Sequence, residues 1–159
     1  MSAARARVNA TEMKALYART GFLLRRGHQI AVSIFMEECA RVGLTPPQHS
    51  VLIAAGEHPG LSQSEVARLL GFDRATIGQV VRGLEARGFL RRDSSGRNKA
   101  LQLTPKGAAA LKRASLAMER TSARLLSPFN RKEQAVFMEL LARLASRLNA
   151  HSRTPLTQR

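Results

Sequence analysis

Tryptophan is absent from this 159-residue chain, tyrosine occurs once, and aromatic residues make up only 4% of it. With so few rings, the hydrophobic 44% comes mainly from Leu, Ile, Val, Ala and Met, a composition that suits packed helices better than a β-sandwich. Cysteine also occurs once, as Cys39, which excludes an internal disulfide and any cysteine-rich zinc site and agrees with a reducing compartment. No apolar run approaches the roughly 20 residues that span a bilayer, and the first residues lack the apolar stretch of a secretory signal. A cytoplasmic, nucleoid-associated protein with no membrane partner is expected. Acidic residues are scarce: 11 Asp and Glu face 26 Lys and Arg, for a formal charge of +15. Such an excess implies a polyanionic partner, for which nucleic acid and an anionic membrane surface both qualify on charge alone. It is diffuse, with nine basic and four acidic residues between positions 61 and 107, so charge alone does not locate the contact surface. Also missing are a phosphate-binding glycine loop, a His-Glu-x-x-His metal motif and a nucleophile elbow, and the four histidines are scattered. No enzymatic activity, cofactor or metal is expected.

What the chain does have is helical punctuation. From Thr11 to about Val42, Met13, Leu16, Tyr17, Thr20, Leu24, Ala31, Ile34 and Phe35 recur at three- and four-residue spacing, predicting one long amphipathic helix stopped by Gly43. Thr45-Pro46 opens a second helix, with Thr as cap and Pro at the first helical position, and His58-Pro59-Gly60 ends it. Ser62 and Glu65 form a capping box for a third, Gly71 permits a sharp turn, and Asp73 caps a fourth. That fourth helix has Ile77, Val80, Val81 and Leu84 on its inner face and closes at Gly88. The period then changes: Phe89 to Arg92 and Lys99 to Leu103 read as short strands around the polar tip Ser94 to Asn98. Thr104-Pro105 starts a long helix toward Leu126, Ser127-Pro128 breaks it, and a last helix from about Arg131 to Ala150 carries Phe137, Leu140, Leu141, Leu144 and Leu148 on one stripe.

Two short helices joined at Gly71 and followed by a basic hairpin are the parts of a winged helix-turn-helix. The expected fold is mainly α with a small β-hairpin wing: a winged helix-turn-helix lobe at 45–104 and a helical dimerisation region at 11–43 and 105–150, within one domain. Residues 1–10 and 152–159 are expected to be flexible tails. An α-helix fits the major groove of B-DNA, and Arg74, Ala75, Gly78, Gln79 and Arg82 lie off the predicted apolar face of the fourth helix. Arg pairs with guanine, Gln with adenine, and Ala75 and Gly78 leave room for close approach. Thr76, Gln63 and Ser64 stand near helix N-termini, where phosphate is favoured. Arg97, Asn98 and Lys99 at the hairpin tip, with Arg92 at its base, suit a narrow minor groove; an ion pair between Asp93 and Arg97 is the alternative use of that arginine. For Arg74 and Arg82 the alternative is a solvated helix face.

The runs Asp73-Arg74-Ala75-Thr76-Ile77, Leu84 to Arg92, Arg97-Asn98-Lys99 and Leu101 to Gly107, with Thr45-Pro46-Pro47-Gln48 upstream, resemble the MarR-family signature over about residues 11–150. The resemblance implies a homodimer on a pseudo-palindromic operator in double-stranded DNA, acting as a repressor and released by a small-molecule effector. Two positions depart from the pattern. Gln79 stands where many members have Arg, so the operator does not carry over, and Ser95 stands where many have an Asp bracing the wing arginine. Effectors of the family usually bind between the first helices and the DNA-binding lobe, so Arg25, Arg26, His28 and His49 become candidates for holding an aromatic carboxylate or its CoA thioester. Apolar stripes left over outside the winged core point independently to a twin chain. Two rival functions remain: a nucleoid protein that coats DNA without sequence preference, and a redox sensor acting through Cys39. Two carboxylates, Glu37 and Glu38, adjoin that cysteine, a setting that does not activate a thiol.

Overall fold

Helix starts in this chain follow local capping chemistry, and the computed structural model, which describes residues 11–93 and 100–157, places them accordingly. The elements are α1 (Thr20–Glu38), α2 (Pro46–Glu57), α3 (Gln63–Leu70), α4 (Arg74–Ala86), β1 (Leu90–Arg92), β2 (Leu101–Leu103), α5 (Pro105–Leu126), α6 (Arg131–Arg147) and a 3-10 turn (Asn149–His151). Reciprocal capping boxes open α2 (Thr45 with Gln48), α3 (Ser62 with Glu65) and α6 (Asn130 with Glu133). The Asp73 carboxylate accepts from the Thr76 amide at 2.8 Å to open α4, and the Thr104 hydroxyl accepts from the Gly107 amide at 3.0 Å to open α5. Each such cap contributes about 1 kcal/mol, which biases where a helix starts through contacts within three residues, while packing stabilises the helix itself.

The first helix is not the single rod that its spacing predicts. Residues 11–17 are helical, the chain is extended at Arg19, and α1 begins only at Thr20. Nothing caps that start, and Met13, Tyr17 and Leu24 remain 43–53% exposed. Helices of this length draw most of their stability from packing, and before Ala31 to Phe35 this stretch buries no residue fully, only Leu16 and Phe22 being half-buried.

Leu44, Val51, Leu52, Val66, Ile77, Val81, Leu84 and Leu101 are fully buried and form the centre of the winged lobe. Phe35 and Cys39 from α1 and Ala110, Ala114 and Ala117 from α5 extend this core upward, the small alanines letting α1 and α2 lie close against α5. The wing is an antiparallel pair with Leu90 opposite Leu103, Arg91 opposite Gln102 and Arg92 opposite Leu101, one residue shorter than expected at the Phe89 end. Phe89 is instead buried, and its carbonyl accepts from the Thr104 amide at 3.1 Å. The Leu101 amide also donates to the Leu61 carbonyl at 2.8 Å, so the chain entering α3 forms a third edge of the wing. No described helix is long and apolar enough to cross a membrane.

At the other end of the molecule two features stand out. None of α6's side chains is buried, and Val136, Phe137, Met138, Leu140, Leu141 and Leu144 are 39–53% exposed. The second concerns the C-terminal residues, which were expected to fray from 152 onward. Within the described residues they do not: the Thr154 hydroxyl donates to the Gly71 carbonyl at 2.6 Å, and the Thr157 amide donates to the Arg68 carbonyl at 3.3 Å. Unfilled carbonyls at the end of α3 supply the reason, because a helix C-terminus leaves acceptors that a passing donor can satisfy.

Candidate nucleic-acid interface

The turn between α3 and α4 is set by Gly71, in the left-handed region at φ 66°, followed by Phe72 and the Asp73 cap. This puts α4, 13 residues long, on the outside of the lobe with Ile77, Val81 and Leu84 turned into the core. Arg74, Ala75, Gln79 and Arg82 are all exposed on its free side. Their spacing of one, four and three residues spreads them over about 140° of the helix, one broad exposed stripe with Arg74 at its edge, and the stripe carries two guanidinium groups and one carboxamide with no acidic side chain among them. Ser64 is exposed on α3, near the start of that helix.

Three of the residues expected at DNA are used otherwise. Gly78 is buried rather than outward-facing. A Cβ there would stand 3.3 Å from the Arg82 Nη1 and 3.7 Å from the Gln63 Nε2, so the missing side chain is a slot across which Arg82 and Gln63 lie. Thr76 donates to the cap of its own helix: its hydroxyl bonds Asp73 Oδ2 at 2.8 Å, which occupies the proton a phosphate would need. The same amide and hydroxyl of Thr76 hold the Asp73 carboxyl below its ordinary pKa, so a negative charge sits at this helix start and disfavours a phosphate there. Arg92 donates through Nε to Glu85 Oε1 at 2.7 Å and through Nη2 to Glu85 Oε2 at 3.2 Å and Gln63 Oε1 at 3.1 Å. It therefore ties the wing to α4 and α3. Gln63, half-buried, accepts from Arg92 with its oxygen. Arg97, Asn98 and Lys99 lie outside the described residues.

Glu85 and Arg87 were not singled out from sequence. Arg87, at the end of α4, donates to the Gly43 carbonyl at 2.6 Å and the Val42 carbonyl at 2.7 Å, and its guanidinium lies 4.4 Å from the centre of the Phe89 ring. The hydrogen bonds of both depend on partners seven or more residues away, for which the helical pattern carries no signal.

The four effector candidates do not form one cluster. His49 is buried, with its ring 5.7 Å from that of Phe35 and its Nε2 without a hydrogen-bond partner; burial holds its pKa below the ordinary histidine value. Arg25, Arg26 and His28 are exposed on α1, seven to ten residues before Phe35, or about 10–15 Å along the helix. Arg25 stacks over Phe22 at 4.9 Å, and Tyr17 meets the same ring at 5.2 Å. Cys39 is buried in the core beneath the ends of α1 and α5, and Glu38 beside it pairs with Arg120 and Arg124, which hold its carboxyl below its ordinary pKa. No group of three or more metal-ligating side chains occurs among the described residues.

Comparison with known proteins agrees with this geometry. Residues 42–99 match the model of the MarR family. The chain is 32% identical over 132 residues to the HTH-type transcriptional repressor Rv2887 of Mycobacterium tuberculosis, covering 81% of this chain and 95% of that protein. Among solved structures it is similar to the transcriptional repressor CouR bound to p-coumaroyl-CoA, at TM-score 0.76 and 34% identity over 82% of this chain and 94% of that one. It is equally similar to CouR bound to a 23-mer DNA duplex, at TM-score 0.76 and 33% identity over 84% and 96% of the two chains.

Proposed function

The chain belongs to the MarR family, and from that premise we propose which of its residues read DNA, how it assembles and what releases it. It is a DNA-binding transcription regulator of the winged helix-turn-helix class, a ligand-responsive repressor. The bases are read by Arg74, Ala75, Gln79 and Arg82, with Ser64 and Gln63 of α3 at the flanking phosphates. The observation that carries this assignment is the stripe of four exposed residues on a helix whose other side is anchored in the core. Arg97, Asn98 and Lys99 of the wing remain proposed minor-groove and backbone contacts. Gly78, Thr76 and Arg92 act behind the reading face, as a slot, a donor to the Asp73 cap and a brace.

The protein works as a homodimer in the cytoplasm. Its two copies are joined through α6, the N-terminal half of α1 and the outer face of α5, because water-exposed leucines along the whole of α6 are stabilised only by a facing copy. Two-fold symmetry then sets the two α4 helices about one turn of DNA apart. Selection of bound sequences from a random duplex pool tests both claims together. The expected product is an inverted repeat; absence of any enriched sequence would leave a coating protein instead.

The effector is an aromatic carboxylate or its CoA thioester. Support comes from p-coumaroyl-CoA in the similar CouR and from the cationic, aromatic surface of α1 around Arg25, Arg26 and Phe22, with His28 on the same helix and His49 below. Calorimetry across a panel of aromatic acids and thioesters, paired with operator release, is the check: at least one is expected to bind and displace DNA, and a panel that binds nothing removes this part of the reading.

A further inference from the structure

Residues that touch no DNA determine where a reading helix sits, and one segment of this chain is built for that task. After the 3-10 turn, Asn149 grips the backbone of Leu156 from both sides, its Oδ1 accepting from the Leu156 amide at 2.9 Å and its Nδ2 donating to the Leu156 carbonyl at 3.0 Å. The Ser152 hydroxyl accepts from the Thr154 amide at 3.2 Å, and Pro155 removes a further backbone freedom. Residues 152–157 are thus a short loop with its own internal fastening rather than a trailing end.

That loop is seated on the turn between the two helices of the DNA-binding motif. Thr154 Oγ1 donates to the Gly71 carbonyl at 2.6 Å and the Thr157 amide to the Arg68 carbonyl at 3.3 Å, so two acceptors at the end of α3 are filled from the end of α6. The approach is close: a Cβ on Gly71 would stand 2.9 Å from the Thr154 carbonyl oxygen and 3.0 Å from Leu156 Cδ2. Glycine is therefore needed at 71 for space as well as for its φ of 66°. Leu70 and Gly71 on one side, and Leu144 and Leu148 of α6 on the other, line the same groove around Leu156.

We propose that the segment Ser152 to Thr157 is a strap that fixes the reading helix relative to α6, and that Thr154, as a positioning residue, thereby sets which operator half-site spacing the protein accepts. This rests on the dimeric, DNA-reading function proposed above. In a two-fold pair, α6 belongs to the shared lobe and α4 to the winged one, so the stiffness of the joint between them decides how far the two reading helices can part. One added base pair displaces a half-site by about 3.4 Å and rotates it by about a tenth of a turn, which a loosened joint tolerates and a strapped one does not. Each hydrogen bond of the strap biases the seated position by about fivefold.

The test uses the full-length dimer and duplexes carrying the selected half-sites at the preferred spacing and at spacings one base pair longer and shorter, alongside a duplex with one half-site. Thr154→Val is expected to lower the preference for the correct spacing by about fivefold, and ending the chain after Ser152 to lower it by about twentyfold, from the one and the two hydrogen bonds lost. Thr154→Ser keeps the donor and is expected to keep the preference. Binding to the single half-site is expected to stay within about twofold throughout, because the reading face is untouched. An unchanged spacing profile in both the valine variant and the shortened chain overturns the proposal. So does an equal loss on the single half-site, which would make the strap a support of the motif's fold. Wild-type protein that binds every duplex alike fails the DNA-reading premise itself, an outcome distinct from either.

Discussion

Replacing Arg82 by alanine separates reading from mere attraction. From Arg74 to Arg82 the exposed stripe of α4 covers eight residue steps, about 12 Å at 1.5 Å per residue, or about three to four base pairs at 3.4 Å each. Each half-site is therefore expected to show strong preference at three or four positions, with Arg82 responsible for one of them. A bidentate arginine–guanine pair discriminates by about 1–3 kcal/mol, a factor of about 5–150. Arg82 is exposed yet guided, since its guanidinium crosses the Gly78 slot 3.3 Å from where a side chain would stand, so less freedom is lost when it meets a base. Arg82→Ala should weaken binding to the selected operator by that factor and flatten preference at one position, leaving the others intact. The measurement is fluorescence anisotropy on the operator and its single-base variants, repeated across salt concentrations. Had Arg82 bound phosphate only, its loss would weaken all sequences alike and reduce the salt slope by about 0.9. Equal losses on all four bases at every position would refute the assignment of α4 as the reader.

Gly107→Ala is expected to lower the denaturant midpoint at fixed protein concentration, with the slope unchanged and a cost of about 3 kcal/mol or more, because its Cβ would collide with the Phe89 carbonyl oxygen and stand 2.9 Å from Leu103 Cδ1. A midpoint equal to wild type would mean that the wing is not wedged against α5. His49 is buried, which holds its folded pKa below the ordinary histidine value of about 6.5, so between those values the unfolded chain binds a proton that the fold refuses, and stability falls as pH drops below about 6.5. His49→Phe keeps the ring against Phe35 and should reduce that pH-dependent loss, as read from unfolding midpoints on either side of pH 6.5; an identical pH dependence would clear His49 of the effect. Leu140→Lys places a charge twice in the proposed symmetric interface. With about 1.5 kcal/mol or more lost per copy, dissociation should rise at least a hundredfold, visible by sedimentation, and a variant that stays dimeric would move the interface away from α6.

Much of the fold was legible because its signals are local. Thr45, Ser62, Asp73 and Thr104 each cap a helix within three residues of themselves, and Gly71 and Gly88 take the positive φ that ends one. The reading stripe was legible for the same reason, since Arg74, Ala75, Gln79 and Arg82 follow from the period of a helix whose inner side is apolar. Gly78 was misplaced because it has no side chain to declare a face, and its burial is decided by how closely Gln63 and Arg82 cross it. Arg92 was expected at DNA on charge alone, but its orientation is set by Glu85 and Gln63, brought to it by the turn of the wing. The break near Arg19 and the seating of Thr154 on Gly71 depend on what packing is present or missing at distances that periodicity does not sample.

Arg87 and Thr154 together show why the reading helix is not free to drift. Arg87 sits at the C-terminal end of α4 and spends two donors on Val42 and Gly43, the carbonyls just past α1. Thr154 holds the Gly71 carbonyl two residues before the Asp73 cap at the other end. One tether runs to α1 and the other comes from beyond α6, the two helices that expose the most apolar surface for a partner copy. A change in how α1 and α6 sit against the second copy must therefore either carry α4 with it or break hydrogen bonds at one of its ends. Breaking them takes donors from the half-buried Val42 and Gly71 and from the exposed Gly43, at about 0.5–1.5 kcal/mol per hydrogen bond. A ligand that shifted α1 with both tethers intact would carry the reading stripe along, and a shift of a few ångströms, about the rise of one base pair, would be enough to take one half-site out of register.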